Sequence, residues 1–154
     1  MTRVIDRAPD PGTGERVDGA TEVLSRLTRA AGRVASEQSR LLRDVGVSPS
    51  AFAILLELAA SKGRGVQPCT LADRLSVTRP SVCGLIDGLE DKGLVARGPH
   101  DRDGRRVIVR LTERGHDVLT AHGAQYEAEL EPLIAQLSTS ERDHLAALLD
   151  RIGA

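Results

Sequence analysis

Apolar side chains recur at helical spacing over most of this 154-residue chain and alternate in one stretch only. Leu24, Leu27, Ala31, Val34, Leu41 and Val45 fall three or four positions apart, with Gln38 filling the gap. They predict a long helix over about 19–45. Ser48-Pro49-Ser50 opens a second helix, because serine caps and proline tolerates the first turn. Phe52, Leu55, Leu56 and Ala59 are expected on its buried side, and Lys62-Gly63-Arg64-Gly65 ends it. A short helix from Thr70 turns Leu71, Ala72 and Leu75 inward. Ser76-Val77 then makes a turn into a fourth helix, 78–92, which Gly93 terminates. On that helix Val82, Leu85, Ile86 and Leu89 form a buried face at i, i+3, i+4 and i+7.

The period then changes to two. Segments 94–97 and 107–111 predict strands, with Val107, Val109 and Leu111 on one face and Ile108 and Arg110 on the other. Between them lies a charged loop in which Asp103-Gly104 is the expected hairpin turn. Thr112 caps a fifth helix carrying Leu119, His122, Tyr126, Leu130, Leu133 and Leu137 in a stripe, with a kink expected at Pro132. Ser138-Thr139-Ser140-Glu141 is a capping box opening a last helix, with Leu145, Leu148, Leu149 and Ile152 inward. The predicted class is mainly α with a small β-hairpin wing (α+β). A winged helix-turn-helix lobe over 48–111 is flanked by helices at 19–45 and 112–152 that suit a dimer interface. Residues 19–154 form a single domain. Residues 1–18, with Pro9, Pro11, Gly12 and Gly14, read as a disordered arm.

Composition narrows the class further. Phe52 and Tyr126 are the only aromatic residues, so the core is built from Leu, Val, Ile and Ala. No run approaches the ~20 apolar residues of a membrane span, and the polar first ten residues lack a signal peptide's apolar stretch. A cytoplasmic protein with no membrane partner is expected. The net charge of −1 does not suggest nucleic acid, but its distribution does. Residues 64–110 hold nine Lys/Arg against six Asp/Glu, whereas 111–154 hold three against eight. A basic middle beside an acidic end can turn one face toward phosphates.

Two features carry candidate chemistry. The face of the fourth helix opposite its buried stripe carries Pro80, Gly84, Asp87 and Gly88, flanked by Ser81 and Cys83. These are small residues, and they let a helix backbone sit deep in the ~12 Å major groove. Backbone N–H groups near Thr78 and Arg79 can meet a phosphate. In the hairpin, Arg102, Arg105 and Arg106 crowd together, and a projecting tip can place arginine in a narrow minor groove. Asp101 and Asp103 can brace these arginines. Taken singly, each feature has an ordinary alternative: an amphipathic helix with a solvated face, or a solvated charged turn.

Together they resemble a known family. The run Thr70-Leu71-Ala72-Asp73-Arg74-Leu75-Ser76-Val77-Thr78-Arg79-Pro80-Ser81-Val82, with Leu85-Ile86-Asp87, Leu89-Glu90 and Lys92-Gly93-Leu94-Val95, is similar to the MarR-type regulators. So is Asp101-Arg102-Asp103-Gly104-Arg105-Arg106-Val107-Ile108-Val109-Arg110-Leu111-Thr112-Glu113-Arg114-Gly115, which resembles that family's wing and its exit into the long helix. The resemblance covers about 19–152. It implies a triangular homodimer that binds a near-palindromic operator in double-stranded DNA. It further implies repression relieved by a small anionic or phenolic effector, or by an oxidant. By position Ser76, Thr78, Arg79 and Ser81 match the recognition elements, Arg105 the wing-tip arginine, and Asp103 the acidic residue that orients it. Gly84 and Gly88 depart from the basic or polar residues often found there.

Cys69 and Cys83 are the only cysteines. The family's peroxide sensors resemble one another in a reactive cysteine near the start of the first long helix, and this chain has none there. Cys83, beside the groove-facing surface, supports an alternative reading as a redox-responsive regulator. A second alternative is a winged helix used for protein association, which has no need of clustered arginines. His100, His116, His122 and His144 match no compact zinc spacing, so neither a metal nor a cofactor is expected. His122 interrupts an apolar stripe and is a candidate lining residue of an effector pocket. No phosphate loop or paired nucleophile and base points to an enzyme.

Overall fold

A computed structural model describes residues 19–100 and 103–152, and of Asp103 and Gly104 the backbone only. The expectations for residues 1–18 and for Arg102 lie outside the described residues. The described residues divide into two compact units, one ending at Arg33 and the other beginning at Val34. Within the first, the opening turns of α1 (Ala20–Leu41) carry a Glu22–Arg26 pair at 2.6 Å, one helical turn apart.

The α1 helix stops at Leu41 rather than continuing to Val45. The Gly46 N–H bonds back to the Leu42 carbonyl at 3.1 Å, and Gly46 takes φ +69°, a left-handed exit that glycine makes without strain. Next come α2 (Pro49–Ala60), α3 (Pro68–Arg74) and α4 (Arg79–Asp91). Each has proline in its first turn, where the missing N–H leaves no bond unmade. The Ser48 hydroxyl caps α2 by accepting from the Ala51 N–H at 3.2 Å. Ala51, Phe52, Ile54, Leu55 and Leu58 of α2 are buried, whereas Leu56 is 42% exposed and Ala59 lies at the surface. The expected buried face was therefore half right. A helix that is apolar nearly all round gives no periodicity from which to choose its inward side.

The strands β1 (Val95–His100) and β2 (Asp103–Leu111) pair antiparallel, with Val95 opposite Leu111, Arg97 opposite Val109 and His100 opposite Asp103. They extend well into the predicted charged loop. Asp103-Gly104 opens β2 and is not the predicted turn, since Asp103 is already paired with His100. A register shift at Pro99/His100 absorbs the difference. Val66 adds a bridge on the far side of β2, exchanging bonds of 2.9 and 2.8 Å with Val109. Ile108 and Val109 are both buried because the hairpin base is covered on both faces, and Val107, nearer the tip, is 49% exposed. The predicted two-face alternation fails there for that reason.

Thr112 caps α5 (Glu113–Leu130) by accepting from the Gly115 N–H at 3.1 Å. Pro132 ends this helix in a 3₁₀ turn (Glu131–Leu133) rather than kinking a longer one. The final helix, α6 (Thr139–Ile152), opens on the predicted capping box, with the Glu141 carboxylate accepting from the Ser138 N–H at 2.8 Å. The Ser138 hydroxyl, donating at 2.7 Å, and its N–H together hold the Glu141 carboxyl below the usual carboxylate range. The expected inward residues of α6 are exposed in the single chain, Leu145, Leu148, Leu149 and Ile152 each by 38–56%. The core instead fills the winged lobe, where Phe52, Leu71, Val82, Ile86, Leu89, Val95 and Val109 pack together.

One glycine is fixed by contact. A Cβ on Gly115 would stand 2.1 Å from the Leu94 carbonyl oxygen and 3.0 Å from a Leu111 methyl. Inside a helix, Gly→Ala is ordinarily stabilising by about 1 kcal/mol. Here the sign reverses: Gly115→Ala is expected to destabilise by about 2–3 kcal/mol, through overpacking against a backbone that cannot yield. Thermal denaturation monitored by circular dichroism checks this, and an unchanged or raised midpoint refutes it.

Candidate nucleic-acid interface

The α4 helix is built to show one face. Val82, Ile86 and Leu89 are buried, and Ser81, Cys83, Gly84, Asp87 and Gly88 are exposed. Nothing lies within 4 Å of the position a Cβ would take on Gly84 or Gly88, so the helix backbone is open to an approaching partner there. The turn into α4 is tight: Ser76 takes φ +51°, a left-handed conformation that costs a non-glycine residue about 1 kcal/mol or more. Thr78 is the N-cap. Its hydroxyl oxygen accepts from the Ser81 N–H at 3.3 Å and lies 2.8 Å from the Ser81 hydroxyl. Pro80 has no N–H, and the Val82 N–H goes to the Thr78 carbonyl at 3.0 Å. The capped end therefore presents a paired hydroxyl, the exposed Arg79 side chain and the Arg79 backbone N–H at the positive pole of the helix.

Arg105 and Arg106 are exposed on β2. The structure thus brings together Ser76, Thr78, Arg79 and Ser81 at one helix end, and Arg105 and Arg106 on one strand. Arg102 and the Asp103 side chain lie outside what is described. His122 lines a crevice of only 20 Å³ with Leu41, Leu42, Gln125 and Tyr126. A separate apolar groove of 630 Å³ runs past Leu56, Tyr126, Leu130, Leu133 and Ile134, and His122 does not line it. Tyr126 forms a wall of both. Its ring meets Phe52 at 4.8 Å between centroids, and partial burial raises the phenol's pKa against an opposing hydrogen bond with Gln38. Among the described residues no group of three His, Cys, Asp or Glu side chains could hold a metal. Nor is any described helix long and apolar enough to cross a membrane.

Sequence reasoning missed Arg97. Its guanidinium holds Asp87 at 2.5 Å and Glu90 at 2.5 Å, and reaches the Cys83 carbonyl at 3.4 Å; its backbone N–H donates to Glu90 at 3.1 Å. One strand residue thus clamps β1 along the flank of α4. It also neutralises Asp87 on the exposed face of α4. The signal was an arginine preceded by carboxylates at i−10 and i−7, a spacing that is meaningful only once the hairpin folds back.

Against this geometry, residues 45–106 match the model of the MarR family. An HTH-type transcriptional regulator from Mycobacterium bovis is 36% identical over 104 residues, spanning 67% of this chain and 73% of its own. The chain belongs to the MarR family. It is a DNA-binding transcription regulator on a winged-helix fold. The transcriptional repressor MprA of Escherichia coli is 27% identical over 120 residues, covering 78% of this chain and 68% of its own. Two solved structures agree in fold. CouR of Rhodococcus jostii, bound to p-coumaroyl-CoA, superposes with TM-score 0.77 at 24% identity, over 88% of this chain and 92% of its own. The MarR family regulator Sco3205 of Streptomyces coelicolor, in complex with DNA, gives 0.77 at 23% identity, over 86% and 84%.

The Arg97 clamp sets a pH dependence for this MarR-family lobe. Bonds from the Arg97 backbone and side chain hold the Glu90 carboxyl below its ordinary 4.5. A depressed folded pKa contributes stability above the unfolded value, and that stability is lost as pH falls toward the folded one. Glu90→Gln is therefore expected to lower stability at pH 7 and to flatten its decline between about pH 5 and pH 3. Urea midpoints over that range decide it; parallel curves for the two proteins would show that the clamp carries no such linkage.

Proposed function

We propose that this chain is a repressor that binds a near-palindromic operator as a homodimer and is released by a small anionic or phenolic effector. The observation that carries the reading is the joint exposure of the capped α4 end and of Arg105 and Arg106 on the hairpin, beside an α4 face stripped to small side chains. Thr78, Arg79 and Ser81 meet the major groove, Ser76 its edge, and Arg102, Arg105 and Arg106 the flanking minor groove, with Asp103 orienting the wing. The exposed leucine row of α6 is the surface a second copy covers. Groups for catalysis are not assembled in this reading, and the protein acts in the bacterial cytoplasm, where the genome lies.

Binding to DNA upstream of its own gene, followed by fluorescence anisotropy over a salt series, tests the reading. Affinity should fall steeply with salt as condensed counterions are released. Half-site centres should lie about one helical turn apart. Arg105→Ala should weaken binding about 10-fold per wing, mostly at A·T-rich flanks. A salt-insensitive affinity, or an unaltered flank preference, sinks the corresponding part of the reading.

The 630 Å³ groove suits an aromatic effector, and the CouR structure holds a phenolic CoA thioester on the same fold. His122 stands behind Tyr126, the groove's shared wall. With a panel of phenolic carboxylates as inducers, His122→Ala should abolish release from the operator while leaving the affinity of the effector-free protein intact. Full induction of the variant removes His122 from the response.

A further inference from the structure

The apolar groove beside Tyr126 is open, and its wall carries charge. Val34, Leu56, Leu133 and Ile134 line it, and all four are exposed in the single chain. Its volume of 630 Å³ lies within the roughly 300–1,000 Å³ typical of small-ligand sites. Gly123 supplies the recess. It lies inside α5, where glycine ordinarily weakens a helix, and nothing stands within 4 Å of the position its Cβ would take. The missing side chain leaves room over one turn of the helix. Glu127 follows at i+4 and Glu131 at i+8, and both line the same groove.

The two carboxylates are not equivalent. Arg142 holds Glu131 at 2.7 Å. Among the described residues no ion pair or hydrogen bond engages the Glu127 carboxylate. Like charges one helical turn apart repel, and Arg142 relieves only one of the two. Leu56 of α2 and Leu130 of α5 line the groove with Glu127. A charge beside apolar walls is less screened than one on an open surface. A cation brought in by a ligand relieves Glu127, whereas an anion adds to the repulsion.

We infer that Glu127 sets the charge specificity of the groove, and that the ligand it favours is an apolar ring compound bearing a protonated amine. This rests on the reading above that an effector occupies the groove, and it names the class. The ring fills the space beside Gly123, against Val34, Leu56 and Ile134, and the amine meets Glu127. Of the two effector classes in that reading, the phenolic one fits and the anionic one is disfavoured. A phenolic carboxylate enters ring first, with its own carboxylate turned away from Glu127. Because Glu127 is exposed, water screens it, and charge decides the preference among ligands more than the affinity itself.

The test uses the full chain and three ligands that share a naphthalene ring. They bear an aminomethyl, a hydroxyl or a carboxylate group, and so are cationic, neutral and anionic at pH 7. Each is titrated while backbone amides are followed by heteronuclear NMR. Saturable shifts at Gly123, Tyr126 and Leu130 are expected for all three, with the amine bound about tenfold more tightly than the carboxylate. Glu127→Gln should narrow that gap to about twofold. It should leave the naphthol unchanged, which shows the groove intact. Glu127→Lys should invert the order, and Gly123→Leu should fill the recess and weaken all three. Equal binding of amine and carboxylate by the parent, or an order that survives Glu127→Gln, overturns the charge assignment and leaves the groove as an effector site. Binding that survives Gly123→Leu, or no shift from any of the three, overturns the inference together with the groove's effector role, and leaves the groove to a second copy of the chain. A parent protein that ignores every operator would overturn the regulator reading, and the titrations would still decide Glu127.

Discussion

The winged lobe depends on one backbone crossing, where the start of α5 presses against the entrance to the hairpin. The Thr112 N–H donates to the Leu94 carbonyl at 3.1 Å, and its hydroxyl donates to the Gly93 carbonyl at 2.6 Å while accepting from the Gly115 N–H. Gly115 lies so close to Leu94 that no side chain fits between them. Three consecutive needs meet there: the last turn of α4 must end, β1 must begin, and α5 must leave beside them. The Leu-Thr-x-x-Gly run supplies a donor, a cap and a gap in that order. It fixes the direction in which the long helix departs from the lobe, and so where a second lobe can stand.

A second constraint sets the hairpin against α4. Hydrophobic contact alone leaves a two-stranded ribbon free to rock, because its base is narrow and its tip is polar. Arg97 removes that freedom with bonds to Asp87 and Glu90, which lie one turn apart on α4. The partners are substantially solvated, so the net energy is modest. The geometric consequence is larger than the energetic one. On the proposed reading, a wing fixed to α4 meets DNA as one body, and less ordering entropy is lost on binding.

The fold was legible where local chemistry acts alone. Ser48, Thr78, Thr112 and Ser138 each name a helix start, since a side-chain oxygen placed before a helical run has one favourable task. The buried face of α4 was equally plain, because polar residues interrupt its apolar ones. Legibility ended where the answer depends on what lies opposite. The inward side of α2, the length of the hairpin and the task of Arg97 are all set by partners distant in sequence. Asp103-Gly104 has the chemistry of a turn, yet the ladder extends past it, because continued pairing to His100 outweighs a local preference worth a fraction of a kcal/mol. Of the candidate interface, the residue types and their grouping were readable. The hydroxyl pairing of Thr78 with Ser81 was not, nor was the separation of His122 from the apolar groove.

That separation bears on how an effector can reach the DNA-binding face. A ligand in the groove touches Tyr126, and Tyr126 packs on Phe52, which is wholly buried among the residues that seat α4. Interiors at crystal-like density do not absorb a displaced ring by compression; they move to another packing or resist. A ligand that shifts Tyr126 therefore acts on the seat of α4 itself, whereas one whose contacts are the same in both states shifts nothing however tightly it binds. On the proposed reading, release from DNA depends less on how tightly an effector fills the groove than on whether the Tyr126–Phe52 contact differs between the two states. His122 shares a narrow crevice with that ring and does not line the groove, so on the proposed reading it acts on the ring's movement and not on the ligand.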